Sequence, residues 1–341
     1  IIPPTANRNA LSEVLATRYT SSHETLFEGI YKLLPGHRLI FENDRARTEQ
    51  YWDLPLDGPD PELEGLDDET LIERFRDLLR ESVRLRLMSD VPLGAFLSGG
   101  IDSAAVGALM AREMTRPAQT SSVAFADHGF SELAYAREAA DAIGADSHEI
   151  VIGDSDFFAA LPGMVWHEDE PIAHPSSVPL HFVSALAREH VKVVLTGEGS
   201  DELLAGYGKY PRALANWAAG GVYERIVPGA LRSAIASAVV PRLPGRAGRL
   251  AARSFVAMPR RPVDMFLDNF AGMPIRLQQS LLNPAIVSRS DAYAVSLDYY
   301  GRVNGNSGVL DRLLYTDMKT YLVEVLMKED QMSMSMSIGS R

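Results

Sequence analysis

Six consecutive residues, Ser98-Gly99-Gly100-Ile101-Asp102-Ser103, put two hydroxyls, two glycines and a carboxylate between an apolar run, Leu93–Leu97, and an Ala-rich helical stretch, Ser103–Met114. A strand, a glycine-rich loop and a helix start in that order form a phosphate-binding arrangement. The glycines permit close backbone approach, and the first N–H groups of the helix point at the anion. Ser98 and Ser103 can add hydroxyl donors, whereas Asp102 suits Mg²⁺ better than phosphate. No lysine follows the glycines, so this is not a Walker-type loop. A second apolar run, Val191–Leu195, leads into Thr196-Gly197-Glu198-Gly199-Ser200-Asp201-Glu202 and then Gly206-Tyr207. In open α/β sheets ligands bind beyond the carboxyl ends of the strands. The two loops are therefore expected to meet at one crevice, with Asp102 and Asp201 sharing Mg²⁺ between them.

The elements that must hold these loops read as follows. Leu71, Phe75, Leu78, Leu79, Val83 and Leu87 recur at helical spacing. Strand signals at Leu93–Leu97, Ser122–Ala126, His148–Ile152 and Val191–Leu195 alternate with helical ones at Ser103–Met114, Glu132–Ile143 and Val178–Glu189. This alternation predicts an α/β fold: a parallel sheet with helices on both faces, followed by a helical C-terminal part beyond Tyr207. Residues 1–56 read as a short β-rich N-terminal region, with a strand at Arg38–Phe41 and a turn at Glu42-Asn43-Asp44. The Pro-, Gly- and acid-rich stretch Pro55–Asp68 reads as a linker, which divides the chain into 1–56 and 57–341.

Composition narrows the function classes. The chain has 341 residues, 46% hydrophobic, enough for a sizeable core and for more than one domain. A net charge of -12 disfavours nucleic acid as a partner. No apolar stretch is long enough to span a membrane, and the first residues do not form a signal peptide. With no initiator Met, the sequence reads as part of a longer or processed chain. The absence of cysteine removes disulfides, zinc–thiolate sites and a Cys nucleophile from the visible residues. Arg225–Arg261 is rich in Arg and poor in acid, which reads as solvated helix faces. His167, His174 and His181 read as loop or core histidines rather than a zinc site. Met332, Met334 and Met336 alternate and read as a packed or lid segment.

The Ser98–Ser103 motif resembles the pyrophosphate loop of the N-type ATP pyrophosphatases, of the adenine nucleotide alpha hydrolase-like fold. Gly197–Glu202 with Gly206-Tyr207 narrows the resemblance to the synthetase domain of glutamine-hydrolysing asparagine synthetases. So do Trp166–Pro171 with Pro175-Ser176, and Tyr321–Lys328 with Asp330–Met334. Leu34–His37 and Tyr51–Asp53 are similar to the tail of that family's glutaminase (class II amidotransferase) domain, so 1–56 is expected to be its remnant. The resemblance implies a ligase of the amidotransferase type, in asparagine biosynthesis and cytoplasmic. Such an enzyme adenylates the side-chain carboxylate of aspartate with ATP and Mg²⁺, then transfers ammonia, from glutamine in the full enzyme, releasing AMP and pyrophosphate. It implies small-molecule partners and is compatible with a homodimer. By residue, Ser98, Gly99, Gly100, Asp102 and Ser103 would hold pyrophosphate, together with Gly199. Asp102 and Asp201 would hold the metal, and Leu97, Val123 and Gly197 would seat the adenosine. Glu198 would deprotonate the incoming ammonia, and Lys328 would neutralise the leaving pyrophosphate.

The chain departs from the family pattern at Gln331, where many relatives carry Arg or Lys, and at Gly339, where many carry Glu. It ends where relatives continue with a Val-Pro-Phe-Leu-Asp-like run. These departures keep open the same adenylation on another carboxylate, as in β-lactam or peptide cyclisation or amidation of a specialised metabolite or glycan. A tRNA- or nucleotide-modifying pyrophosphatase is disfavoured by the acidic balance, and a non-catalytic scaffold by the intact carboxylates and serines of both loops.

Overall fold

The structure is a computed structural model that describes residues 4–56, 60–126, 132–172, 174–283, 291–303 and 307–341. The chain divides into two compact units, one of Ile1–Gly58 with Asp201–Val323, the other of Pro59–Ser200 with Glu324–Arg341.

The second unit carries a five-stranded sheet. Its strands are β3 (Leu93–Phe96), β4 (Gln119–Phe125), β5 (Asp146–Ile152), β6 (Val193–Leu195) and β7 (Gly339–Ser340), in the order β5-β4-β3-β6-β7. Every pairing in it is parallel. From β3 the chain steps through α3 (Ile101–Glu113) to β4 and through α4 (Leu133–Ile143) to β5. It then returns through α5 (Asp154–Glu168) and α6 (Ser177–Ala187) to β6, on the other side of β3. Right-handed crossovers in opposite directions place the two helix sets on opposite faces. Accordingly α3 and α4 pack together, as do α5 and α6, and α6 lies on β4 and β5. The expected parallel α/β sheet is therefore present.

Buried clusters hold the sheet on both faces. On one face Val83 of α2 (Asp68–Arg86) meets Ala95, Met110, Ala118 and Leu195. On the other, Ile152, Met164 and Val178 surround Met332 of α14 (Tyr321–Ser335), with Val123 and Ile150 alongside. The helical stripe expected of α2 is covered only near its C-terminal end, for Phe75 and Leu78 remain exposed. Strand β7 has no sequence signal. It exists because α14 turns at Ser337, in the left-handed conformation, and brings Gly339-Ser340 alongside Val193-Val194.

The first unit is mainly helical. It contains α7 (Ser200–Leu204, of which Ser200 belongs to the other unit), α8 (Lys209–Ile226), α9 (Gly229–Ala234), α10 (Gly245–Ala252), α11 (Ile275–Leu281), α12 (Ala294–Arg302) and α13 (Val309–Lys319). Tyr210, Ala213, Met265, Phe266 and Leu313 form its main core. The N-terminal region belongs to this unit and is not wholly β: helix α1 (Arg8–Thr17), capped by Asn7, precedes the hairpin β1 (His37–Glu42) and β2 (Arg45–Gln50). Asn43 and Asp44 both have positive φ, the conformation that closes a two-residue hairpin. Several residues of the Arg-rich segment hold this unit together rather than facing solvent alone. Arg260 donates to the Trp217 carbonyl at 3.0 Å while lying over its ring, and Arg232 pairs with Glu224 at 3.1 Å.

Candidate active site

The strand order reverses between β3 and β6, and the loops that leave these two strands form the crevice expected of an open α/β sheet. Gly99 makes the first turn with φ +84°. A Cβ there would lie 2.8 Å from the Glu132 carbonyl oxygen, so this position excludes a side chain on two grounds. The two serines then lock the loop. Ser98 and Ser103 hydroxyls are 3.0 Å apart, the Ser98 N–H donates to Ser103 Oγ at 3.2 Å, and the Gly100 N–H donates to Ser98 Oγ at 3.2 Å. Gly100 is the N-cap of α3 and supplies no side-chain cap to the helix start. Asp102 lies in that first turn, half-buried.

The second loop lies directly against this helix start. A Cβ on Gly197 would fall 2.8 Å from the Ser103 nitrogen and 3.1 Å from the Asp102 carbonyl carbon, distances only a glycine allows. Ser200 Oγ donates to the Gly197 carbonyl at 3.1 Å, and Gly199 is buried with φ +95°. Glu198 is exposed at the tip. The structure thus brings Ser98, Gly99, Gly100, Asp102, Ser103 and Gly197 together. Leu97 is buried under this loop, its N–H donating to the Ser121 carbonyl at 3.0 Å and its carbonyl accepting from Ser122 Oγ at 2.7 Å. Val123 is half-buried on β4.

Asp201 opens the helical unit. Gly206 packs so tightly on it that a Cβ would meet the Asp201 carboxylate, which accounts for the glycine of the Gly206-Tyr207 pair. The buried Glu202 accepts from the Tyr207 hydroxyl at 2.7 Å. Burial first, then this bond, raises the Tyr207 phenol far above its ordinary range. Hard carboxylate oxygens such as those of Asp102 and Asp201 fit magnesium. Among the described residues no group of three or more His, Asp or Glu is placed to cage a metal alone. Magnesium is commonly held by one or two carboxylates together with substrate phosphates, so each of these carboxylates, taken by itself, is chemically suited to the ion.

On α14, Lys328 is buried among three carboxylates: Glu170 at 3.3 Å, Glu168 at 3.7 Å and Glu324 at 3.7 Å. Its neighbour Glu329, which the sequence reading passed over, is 5% exposed, and its Oε1 is buried without a hydrogen-bond partner. Burial is the main cause, and the nearby Glu198 charge the next, that pushes the Glu329 carboxyl up to about 7; a hydrogen bond from Thr196 works against them. The available signal was an acid three residues before the core residue Met332 on one helix, hence on the same face. The Gln331 side-chain oxygen is likewise buried without a partner. Gly339 does not need to be glycine, since a Cβ there would meet only Val193 at 3.9 Å.

A parallel α/β sheet with a phosphate-type loop at its switch point defines the class, and comparison with known proteins gives the family. The asparagine synthase family model matches residues 74–341, and the chain belongs to that family. It is 31% identical over 342 residues to asparagine synthetase [glutamine-hydrolyzing] 1 of Bacillus subtilis, covering 98% of this chain and 51% of that protein. It is 30% identical over 217 residues to asparagine synthetase [glutamine-hydrolyzing] 3 of the same organism, 59% of this chain and 34% of that one. It is 34% identical over 203 residues to the amidase chyE of Penicillium rubens, 54% of this chain and 30% of that protein. The chain therefore spans between about a third and a half of the length of these curated relatives. Among solved structures, the NH3-dependent NAD synthetase of Campylobacter jejuni matches with TM-score 0.29 and 19% identity, covering 42% of this chain and 62% of that one. A likeness of that size carries no functional weight.

Proposed function

We propose that this chain is the synthetase part of a glutamine-hydrolysing asparagine synthetase, in which ATP adenylates the aspartate side-chain carboxylate and ammonia then displaces AMP. Family membership supports this reading, and the observation that carries it is the fit of Gly197 against the start of α3. One backbone loop thereby joins the phosphate site to the carboxylate Glu198. The Ser98–Ser103 loop and the uncapped start of α3 would bind pyrophosphate, with Gly199 nearby. Asp102 and Asp201 would hold Mg²⁺, which neutralises phosphate charge when bound. Backbone at Leu97 and Gly197, with Val123, would seat the adenosine; the Leu97 N–H is committed to Ser121 and its carbonyl already accepts from Ser122 Oγ, so only the second lone pair of that carbonyl is open to a ligand. Glu198 would receive a proton from ammonia, and Lys328 would meet the departing pyrophosphate once its glutamates release it. Residues 1–56 are the tail of the amidotransferase domain in this reading. The enzyme would work in the cytoplasm as a homodimer, with glutamine as the nitrogen donor.

A second reading keeps the chemistry and changes the carboxylate. The buried, unpartnered oxygen of Gln331 favours it, because that residue stands where relatives carry a cation.

The test is ATP–pyrophosphate exchange with Mg²⁺ across a panel of carboxylic acids. Exchange dependent on aspartate supports the first reading, and exchange with another acid alone supports the second. Asp102→Ala should lower exchange by on the order of a hundredfold or more, the usual cost of about 3 kcal/mol for one electrostatic contributor. Near-normal exchange in that variant would remove Asp102 from the metal site.

A further inference from the structure

An open pocket of about 860 Å³ lies over the C-terminal end of α5. Leu161, Val165 and Trp166 of that helix line it, with Ile172 and, at the start of α6, Val178. The volume falls in the range of small-molecule sites, and the walls are mainly apolar, as such sites require. None of its described lining residues belongs to the Ser98–Ser103 loop or to the Glu198 loop. Trp166 is 79% exposed, so its indole is open to a ligand. The two charged residues that line the pocket, Asp169 and Glu170, are both acidic. The C-terminus of α5 adds the negative end of a helix dipole, with Asp169 as its exposed C-cap.

Glu170 accepts a hydrogen bond from Lys328 Nζ at 3.3 Å. That ammonium is shared, for Glu168 and Glu324 each stand 3.7 Å from it. Three carboxylates around one ammonium leave an excess of negative charge in a largely buried place, which is costly. Glu168 bears the cost most directly. It is 2% exposed, and both its carboxylate oxygens are buried without a hydrogen-bond partner. A second cation at Glu170 lets Lys328 turn toward Glu168 and supply the missing donor.

We propose that this pocket binds a hydrophobic primary ammonium ion, with its apolar body against Trp166 and its charge on Glu170 and Asp169. The ligand takes the place of Lys328 as the donor to Glu170. Its apolar body gains from burial against the pocket walls, and its charge gains from the two carboxylates, the helix end and the indole face. A neutral molecule of the same shape gains only the first of these, and an anion is repelled. The site stands apart from the adenylation reading and does not depend on it.

The experiment titrates the full chain, without ATP, with phenethylammonium, phenethyl alcohol and phenylacetate, and follows binding by calorimetry. The ammonium ion should bind best, the alcohol roughly tenfold or more weaker, and the anion least. Glu170→Gln should weaken binding of the ammonium ion roughly tenfold and leave the alcohol nearly unchanged. Asp169→Asn should act in the same direction to a smaller extent, and Asn tolerates the left-handed backbone at that position. Trp166→Ala should weaken both ligands. If Glu170→Gln does not fold, the comparison of the three ligands on the wild type and on Asp169→Asn decides. No saturable binding of phenethylammonium, or equal affinity for the alcohol, would overturn the proposal. So would an unchanged affinity for the ammonium ion in Trp166→Ala or in both acid variants.

Discussion

At Gly197 a missing side chain decides whether two loops can act as one. The nearest atoms, the Ser103 nitrogen and the Asp102 carbonyl carbon, belong to backbone and cannot rotate away. Gly197→Ala must therefore shift the loop or the start of α3 by a fraction of an ångström or more. Misplacement by about 1 Å can cost on the order of a hundredfold in rate. Exchange activity is expected to fall roughly tenfold to a hundredfold, with the far-ultraviolet circular dichroism unchanged. An Ala variant with wild-type exchange would show that the two loops do not need to touch. The glycines and serines of both loops were legible in the sequence because tight turns, close backbone packing and serine-to-backbone hydrogen bonds constrain residue type there. Glu329 was not legible. A buried acid has the same letter as a solvated one, and only the face of α14 and the neighbouring loop give it its character.

Elements with a strong period were readable, and short or irregular ones were not. The strands and helices expected between Leu93 and Leu195 appear within a few residues of where apolar runs and helical spacing put them, but α5, which carries Pro162 inside it, was not expected. Helix α1 escaped because its stretch lies among turn residues, and β7 because a Gly-Ser pair has no strand signal of its own. The three alternating methionines show what spacing alone misses. An alternation of two suggests a strand, yet Met332 and Met334 lie on a helix whose 3.6-residue period sends them to opposite environments. Met332 is fully buried against Ile152, Met164 and Val178, while Met334 is 57% exposed. Met332→Ala should destabilise the fold by about 2–5 kcal/mol, and Met334→Ala by no more than about 0.5 kcal/mol. Paired denaturant melts of the two variants read this directly. Equal losses would mean that α14 does not present this face to the sheet.

At the scale of the molecule, the alternation of signals predicted the parallel sheet, but not how the N-terminal region is held. That region carries little apolar periodicity and takes its stability from residues more than two hundred positions away. Ser12 donates to Gln278 at 2.8 Å, and Leu54 and Leu56 pack with Tyr299, Val303 and Tyr315. Asp53 accepts from Lys319 Nζ at 2.8 Å and from the Tyr315 hydroxyl at 3.3 Å. Partial burial opposes the charge on Asp53, but the hydrogen bonds from Lys319, the Leu54 N–H and Gln50 outweigh it and hold the carboxyl below its ordinary range. The sign follows from linkage. A carboxyl depressed in the folded state stabilises above its unfolded pKa, near 3.9, and loses that contribution as pH falls through the folded value. Lys319→Met should therefore be less stable than wild type at pH 7, by roughly 1 kcal/mol, because the 27% of the Asp53 side chain that stays exposed lets solvent screen the pair. The difference between the two proteins should shrink as pH falls from about 4 through the depressed folded-state value, where Asp53 becomes protonated in wild type too. Urea melts at pH 7 and pH 3 make the comparison. A gap that stays the same at both pH values would assign the loss to the packing of the Lys319 stem and not to its charge.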